Sequence, residues 1–198
     1  MHFGPITDGY SENNGFINIS PVSIIIGNQA TGKSTIAKLY STLSWLEKNL
    51  SRVDTKKNYI STKEEFASYL RNQRIDEYLK DNSYIEYIGD AYHFIYDCNK
   101  FTIIPLDTDT VMNYARPKIM YVPSERNLIT VLEDANNIGK LPIMLSVLLD
   151  EYNAARKTLA KEPFDLPVPG VQVLFSNDSQ TTKVLPQTQK SETCRKFT

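Results

Sequence analysis

Residues 27–34 read Gly-Asn-Gln-Ala-Thr-Gly-Lys-Ser, and a second hydroxyl residue, Thr35, follows at once. The pattern G-x-x-x-x-G-K-[ST] belongs to loops that cradle phosphate. The chemistry explains the spacing. Gly27 and Gly32 let the backbone wrap an anion closely, so that successive N–H groups can point inward. A helix beginning at Lys33 would add free N–H groups and partial positive charge. The expected binding set is Gly27, Asn28, Gln29, Ala30, Thr31, Gly32, Lys33, Ser34 and Thr35. Lys33 would reach the β and γ phosphates, Ser34 would ligate Mg²⁺, and Thr35 would add a phosphate contact. The implied ligand is ATP with Mg²⁺. A chance glycine-rich turn capping a helix has the same letters, so context must decide.

A hydrolase of this kind also needs an acid at the end of an apolar strand, to help hold Mg²⁺ and orient water. Two stretches imitate one: Val147-Leu148-Leu149-Asp150-Glu151 and Phe94-Ile95-Tyr96-Asp97. The first falls within a helical pattern, which makes Asp150 and Glu151 a solvated helix face. The second precedes a turn, which makes Asp97 a turn residue. Pro123-Ser124-Glu125-Arg126 places opposite charges in a loop after an apolar run, where site residues of open α/β sheets often sit. His2 and His93 are isolated in sequence, and Tyr10 is a candidate for stacking on adenine.

These residues need elements to hold them. Residues 21–26 are apolar and β-branched and read as a buried strand entering the loop. From Lys33 the period changes: Ile36, Leu39, Tyr40, Leu43, Leu46 and Leu50 fall on one helical stripe. Residues 51–60 read as a loop. Ser61-Thr62-Lys63-Glu64-Glu65 offers a capping box, predicting a helix into the low seventies, with a short helix at 75–80 after it. Residues 84–88, 92–96 and 101–105 are β-like and separated by turn residues, which predicts an antiparallel meander. Residues 118–122 read as a further strand ended by Pro123, residues 141–159 as a helix and residues 171–175 as a strand. The expected fold class is α/β: a P-loop NTPase, with the meander and helices as an insertion and the sheet incomplete. Residues 1–175 would form the domain, and the polar tail 176–198 would be disordered unless paired.

Bulk properties agree with such a domain. The chain has 198 residues, 41% of them apolar, with 22 basic against 23 acidic side chains. That balance gives no global attraction to nucleic acid or an anionic membrane. Cys98 and Cys194 lie far apart with no partner at ligand spacing, so neither a disulfide framework nor a zinc site is expected. The start lacks a basic segment leading into an apolar one, and no apolar run could span a bilayer. A cytoplasmic setting is the expectation.

Phe3-Gly4-Pro5-Ile6, followed by the apolar run into residues 27–35, resembles the head domain of ABC-type ATPases of the SMC/RecF-like branch. Tyr121-Val122-Pro123-Ser124-Glu125-Arg126 is similar to the Y-[IV]-P-[AS]-E-R stretch of bacterial AAA-family ATPases. The resemblance implies heads that pair, as a homodimer or head to head, with ATP between them, and that move DNA or a protein partner. Two departures matter. Ala30 stands where the family commonly has Gly, which stiffens the loop. A Leu-Ser-Gly-Gly-Gln-like signature, a convincing acidic strand end and a switch His are all missing. The resemblance therefore implies an N-terminal half, binding Mg·ATP but needing further segments for hydrolysis, with the catalytic acid unassigned. Two rivals share the loop. A small-molecule or nucleoside kinase would need a lid arginine, for which Arg116 and Arg126 are the hints. A non-hydrolysing nucleotide-binding module would need only the loop.

Overall fold

The computed structural model describes residues 2–7, 13–52, 62–130, 141–160, 163–165, 171–176 and 181–186. Two compact units form, Met1–Val122 and Pro123–Thr198. The class is mixed α/β, and both sheets are small and antiparallel.

In the first unit, α1 (Lys33–Leu50) follows the loop directly and buries Leu39, Leu43 and Leu46 on the stripe seen in the sequence. Helix α2 (Lys63–Arg71) starts as its capping box requires. The Thr62 hydroxyl accepts from the Glu65 amide at 3.2 Å, and the Glu65 carboxylate accepts from the Thr62 amide at 3.1 Å. The short helix expected at 75–80 is a single 3₁₀ turn, Asp76–Tyr78. Strands β1 (Ile85–Ile88), β2 (Tyr92–Asp97) and β3 (Lys100–Pro105) form the expected meander. Alternation sends Tyr92, Phe94 and Tyr96 to the core, where Phe66 of α2 stacks on Phe101 at 4.5 Å. A short α3 (Thr108–Met112) follows, capped by the Asp107 side chain.

One buried carboxylate ties α1 to this sheet. Glu47 is 2% exposed. Its Oε1 accepts from the amides of Ala91 at 2.7 Å and Tyr92 at 3.1 Å, and its Oε2 accepts from the Tyr87 hydroxyl at 2.8 Å. These donors are all neutral, so Glu47 is satisfied by hydrogen bonding alone, the condition for burying it at acceptable cost. The carboxylate lies so close to the β1–β2 turn that a Cβ on Gly89 would come within 2.2 Å of Oε1. The C-terminal end of α1 is held twice more: the Tyr92 hydroxyl donates to the Leu50 carbonyl at 3.2 Å, and the Arg116 guanidinium donates to the Ser51 carbonyl at 2.8 Å.

Two expected strands are corrected. Residues 21–26 are neither paired nor buried: Val22, Ile24 and Ile26 are 80%, 82% and 88% exposed. The central sheet that was to carry the loop is therefore not formed by the described residues. Residues 118–122 are likewise unpaired, with Met120 and Val122 exposed. The reason is shared. Each described strand pairs with one only a few residues away in sequence, whereas a parallel strand needs a distant partner through a crossover. At 20–23 a local alternative also competes. The Ser20 amide donates to the Ser23 hydroxyl at 2.9 Å, which in turn donates to the Ser20 carbonyl at 3.1 Å, closing a side-chain turn.

The second unit contains the 3₁₀ turn Ser124–Thr130, helix α4 (Ile143–Leu159) and a meander of β4 (Phe164–Asp165), β5 (Val171–Ser176) and β6 (Thr181–Pro186). Leu145 and Leu149 of α4 are buried. The expected helix and the expected strand at 171–175 are both present. Part of the tail is paired, because β6 pairs with β5 along its whole length.

Replacing Glu47 with Ala should cost about 3 kcal/mol or more, since two buried amides lose a charged acceptor. Gly89→Ala should cost about 2 kcal/mol by overpacking, and urea denaturation would measure both. A pH effect follows as well. Burial holds the Tyr87 hydroxyl far above its usual 10.0, and burial first and the Glu47 charge second push Tyr114 up to about 12. Below 10.0 both groups are protonated in either state, so their contribution is fully present. Above it the unfolded chain loses these protons first, and stability falls as pH rises towards 12. The urea midpoint should drop over that window, and less steeply in Tyr114→Phe.

Candidate functional site

Residues 27–35 form a closed turn leading into the head of α1. The Thr31 hydroxyl donates to the Asn28 carbonyl at 2.8 Å and closes the loop across its base. The Lys33 ammonium folds back, donating to the Gly27 carbonyl at 2.9 Å and also to the Asn28 carbonyl. Its charge thus sits at the loop rather than out in solvent. Gly32 is the N-cap of α1 with φ +91°, and the Ile36 amide donates to its carbonyl at 2.9 Å. No side chain caps this helix, and its first turn carries no acid. The amides of Lys33, Ser34 and Thr35 precede the first intrahelical bond, so the N-terminal positive end is left for an external anion. Ser34 is exposed at this end, and Thr35 is buried beneath it.

Ala30 takes φ +62°, the left-handed region. An L-residue pays roughly 1–2 kcal/mol there, which Gly avoids. The Ala in place of Gly noted in the sequence therefore falls where the loop demands a left-handed residue.

The donor set suits a polyphosphate with Mg²⁺. It combines a helix N-terminus, the Lys33 ammonium and an exposed hydroxyl next to it, with no carboxylate in the first turn to repel the anion. An open depression of about 450 Å³ elsewhere in the first unit suits phosphate poorly. Its lining includes Asp90, Asp109, Asn113 and Tyr114, and its carboxylates would repel the ligand.

Other candidates are placed as follows. Asp150 and Glu151 lie on α4, as their helical spacing implied. Asp97 ends β2 and faces Lys100 across the hairpin turn. Ser124 opens its 3₁₀ turn and donates to Glu125 at 2.9 Å. Arg116 is engaged by the Ser51 carbonyl. His93, isolated in sequence, meets Glu86 at 2.9 Å on the face of the first sheet turned away from the core, where Tyr84 also donates to Glu86 at 2.6 Å. That hydrogen bond is the first cause of a Tyr84 pKa pushed up to about 12. Cys98 is free and exposed. Tyr10 and Cys194 lie outside the described residues. No described helix is long and apolar enough to cross a membrane.

Two residues escaped the sequence reading. Glu47 holds α1 in place, and its signal was a charge on the apolar stripe, four residues after Leu43. Ile6 packs against Gly32, a contact that carries no sequence signal. No family model, curated protein or solved structure matches the chain.

Relief of the left-handed cost makes Ala30→Gly stabilising by about 0.5–1 kcal/mol, since glycine's extra unfolded entropy offsets part of the gain. Ala30→Val should be destabilising, as a β-branched residue tolerates this region worst. Urea melts of the three proteins should rank Gly above Ala above Val.

Proposed function

We propose that the chain binds ATP with Mg²⁺ through residues 27–35, as part of an ATPase head of the ABC type and SMC/RecF-like branch. The observation that carries this reading is the Lys33 ammonium, drawn into a closed loop by the Gly27 and Asn28 carbonyls at the uncapped N-terminus of α1. A chance glycine turn needs no such convergence of charge and free amides. Lys33 would hold the terminal phosphates, giving up its carbonyl contacts to do so. The amides at the head of α1 would hold the same phosphates. Ser34 would ligate the Mg²⁺, which supplies charge neutralisation between phosphate oxygens.

Hydrolysis is a separate matter. It needs a positioned water and charge stabilisation that grows in the transition state. Asp97 is in a hairpin and Asp150 and Glu151 are on a helix, so none ends a parallel strand beside the loop. The chain should hold Mg·ATP in its ground state, and hydrolysis would need further segments that carry the signature and the catalytic acid. A homodimer or a second head, with DNA or a protein as the moved partner, belongs to this proposal. Arg116 is already engaged by a backbone carbonyl, which weakens the kinase alternative.

Calorimetric titration should show Mg·ATP binding to the wild-type chain and none measurable for Lys33→Ala, with the two melting alike. A charge-assisted phosphate contact contributes about 1.5–3 kcal/mol, and more when desolvated. Phosphate release by the chain alone should stay at background. Equal affinities would refute the phosphate loop, and robust Lys33-dependent release would refute the ground-state reading.

A further inference from the structure

Gly32 has a left-handed backbone, no capping side chain and no acid nearby on α1 to hold it. The contact that confines it comes from the other end of the unit. A Cβ placed on Gly32 would meet Ile6 Cγ1 at 2.7 Å, Ile6 Cδ1 at 3.3 Å and Pro5 Cγ at 3.4 Å. Ile6 and Pro5 are themselves fixed. The Phe3 amide donates to the Ile6 carbonyl at 2.9 Å and the Ile6 amide to the Phe3 carbonyl at 3.1 Å, making a tight turn. Phe3 is buried and meets Tyr78 edge-on at 6.0 Å. His2 exchanges backbone hydrogen bonds with Tyr84 at 3.1 and 3.3 Å, next to β1. A rigid turn pinned to the core thus presents an isoleucine to the N-cap of α1.

We infer that Ile6, supported by Pro5, is a positioning residue for the phosphate loop: it sets Gly32 and through it the direction of the amides at the head of α1. This rests on the phosphate-loop reading. Anion binding by backbone amides depends on their direction, and a loop that must be ordered by the ligand binds it more weakly. The flanking segment 21–26 is unpaired and gives Gly32 little support from its own side, so the wall at Ile6 carries more of the task.

The contact is tight enough to be read by a double-mutant cycle, since residues in contact couple and distant ones do not. The probe is inorganic tripolyphosphate with Mg²⁺, titrated by calorimetry, alongside urea melts of each variant. Ile6→Ala should weaken binding about tenfold, a change of about 1.4 kcal/mol. Ile6→Val, which keeps a γ carbon on the wall, should stay within about threefold of wild type. Gly32→Ala should weaken binding more than either, and Gly32→Ala with Ile6→Ala should bind better than Gly32→Ala alone, because the added methyl gains room. Phe66→Leu, a core change remote from the loop, should lower stability and leave affinity unchanged. Losses that simply multiply in the double variant, or an Ile6→Ala loss matched by Phe66→Leu at equal destabilisation, would overturn the inference. If the wild-type chain takes up no tripolyphosphate, the phosphate-loop reading itself falls, and the inference with it.

Discussion

The Glu47 carboxylate, buried against the turn between β1 and β2, is the constraint from which the first unit is organised. A helix packed on a small sheet by apolar contacts alone could slide or rotate at little cost. A carboxylate accepting from two adjacent amides and a phenol cannot, because any shift would leave a buried charge unsatisfied. The register of α1 on the meander is therefore set at one point, near its C-terminal end. Tyr92 and Arg116 then take up the carbonyls of Leu50 and Ser51 at that end. Gly89 is part of the same device, since a side chain there would occupy the space of the carboxylate.

Fixing one end of a stiff rod fixes the other. Helix α1 carries the loop 27–35 at its N-terminus, roughly 25 Å from its far end at 1.5 Å per residue. The loop is thus placed by an interaction remote from it in the sequence. What remains to be set is local: the left-handed turn at Ala30 and Gly32, the Thr31 hydroxyl on the Asn28 carbonyl, and the ammonium of Lys33 folded inward. The Thr31 and Lys33 contacts come from residue types within 27–35, whereas Ala30 takes its left-handed conformation against its own preference.

That contrast explains which parts of the fold were legible. The capping box at Thr62 and Glu65, the stripe of α1, the hairpins of the meander and the helix at 143–159 depend on contacts within a turn or two, and each appeared where the pattern placed it. The runs at 21–26 and 118–122 have strand composition but no adjacent partner. β-propensity describes fitness for a pleated, half-buried surface, and without neighbours that surface does not exist. The loop residues were legible because their spacing encodes a local conformation. Glu47 was legible in principle, as a charge interrupting an apolar stripe, but which donors it would meet depends on the β1–β2 turn more than forty positions away. Ile6 was not legible at all, because an aliphatic residue in an N-terminal turn carries no mark of the glycine it will touch.

The loop keeps its closed form even though the segment leading into it is unpaired, and this needs a physical reason. A strand normally holds the entry of such a loop by its ladder hydrogen bonds. Here the described backbone of 21–26 makes none. Support must then come from the exit and from the side. The exit is α1, held by Glu47. The side is the Phe3–Ile6 turn, pinned by Phe3, Tyr78 and Tyr84, with Ile6 against Gly32. Within the loop, two donors, the Thr31 hydroxyl and the Lys33 ammonium, converge on the Asn28 carbonyl and draw the entry towards the exit. The closed conformation of the loop is therefore built from α1, the N-terminal turn and the loop's own side chains. The apolar run at 22–26 is exposed and makes no ladder hydrogen bond with a described residue.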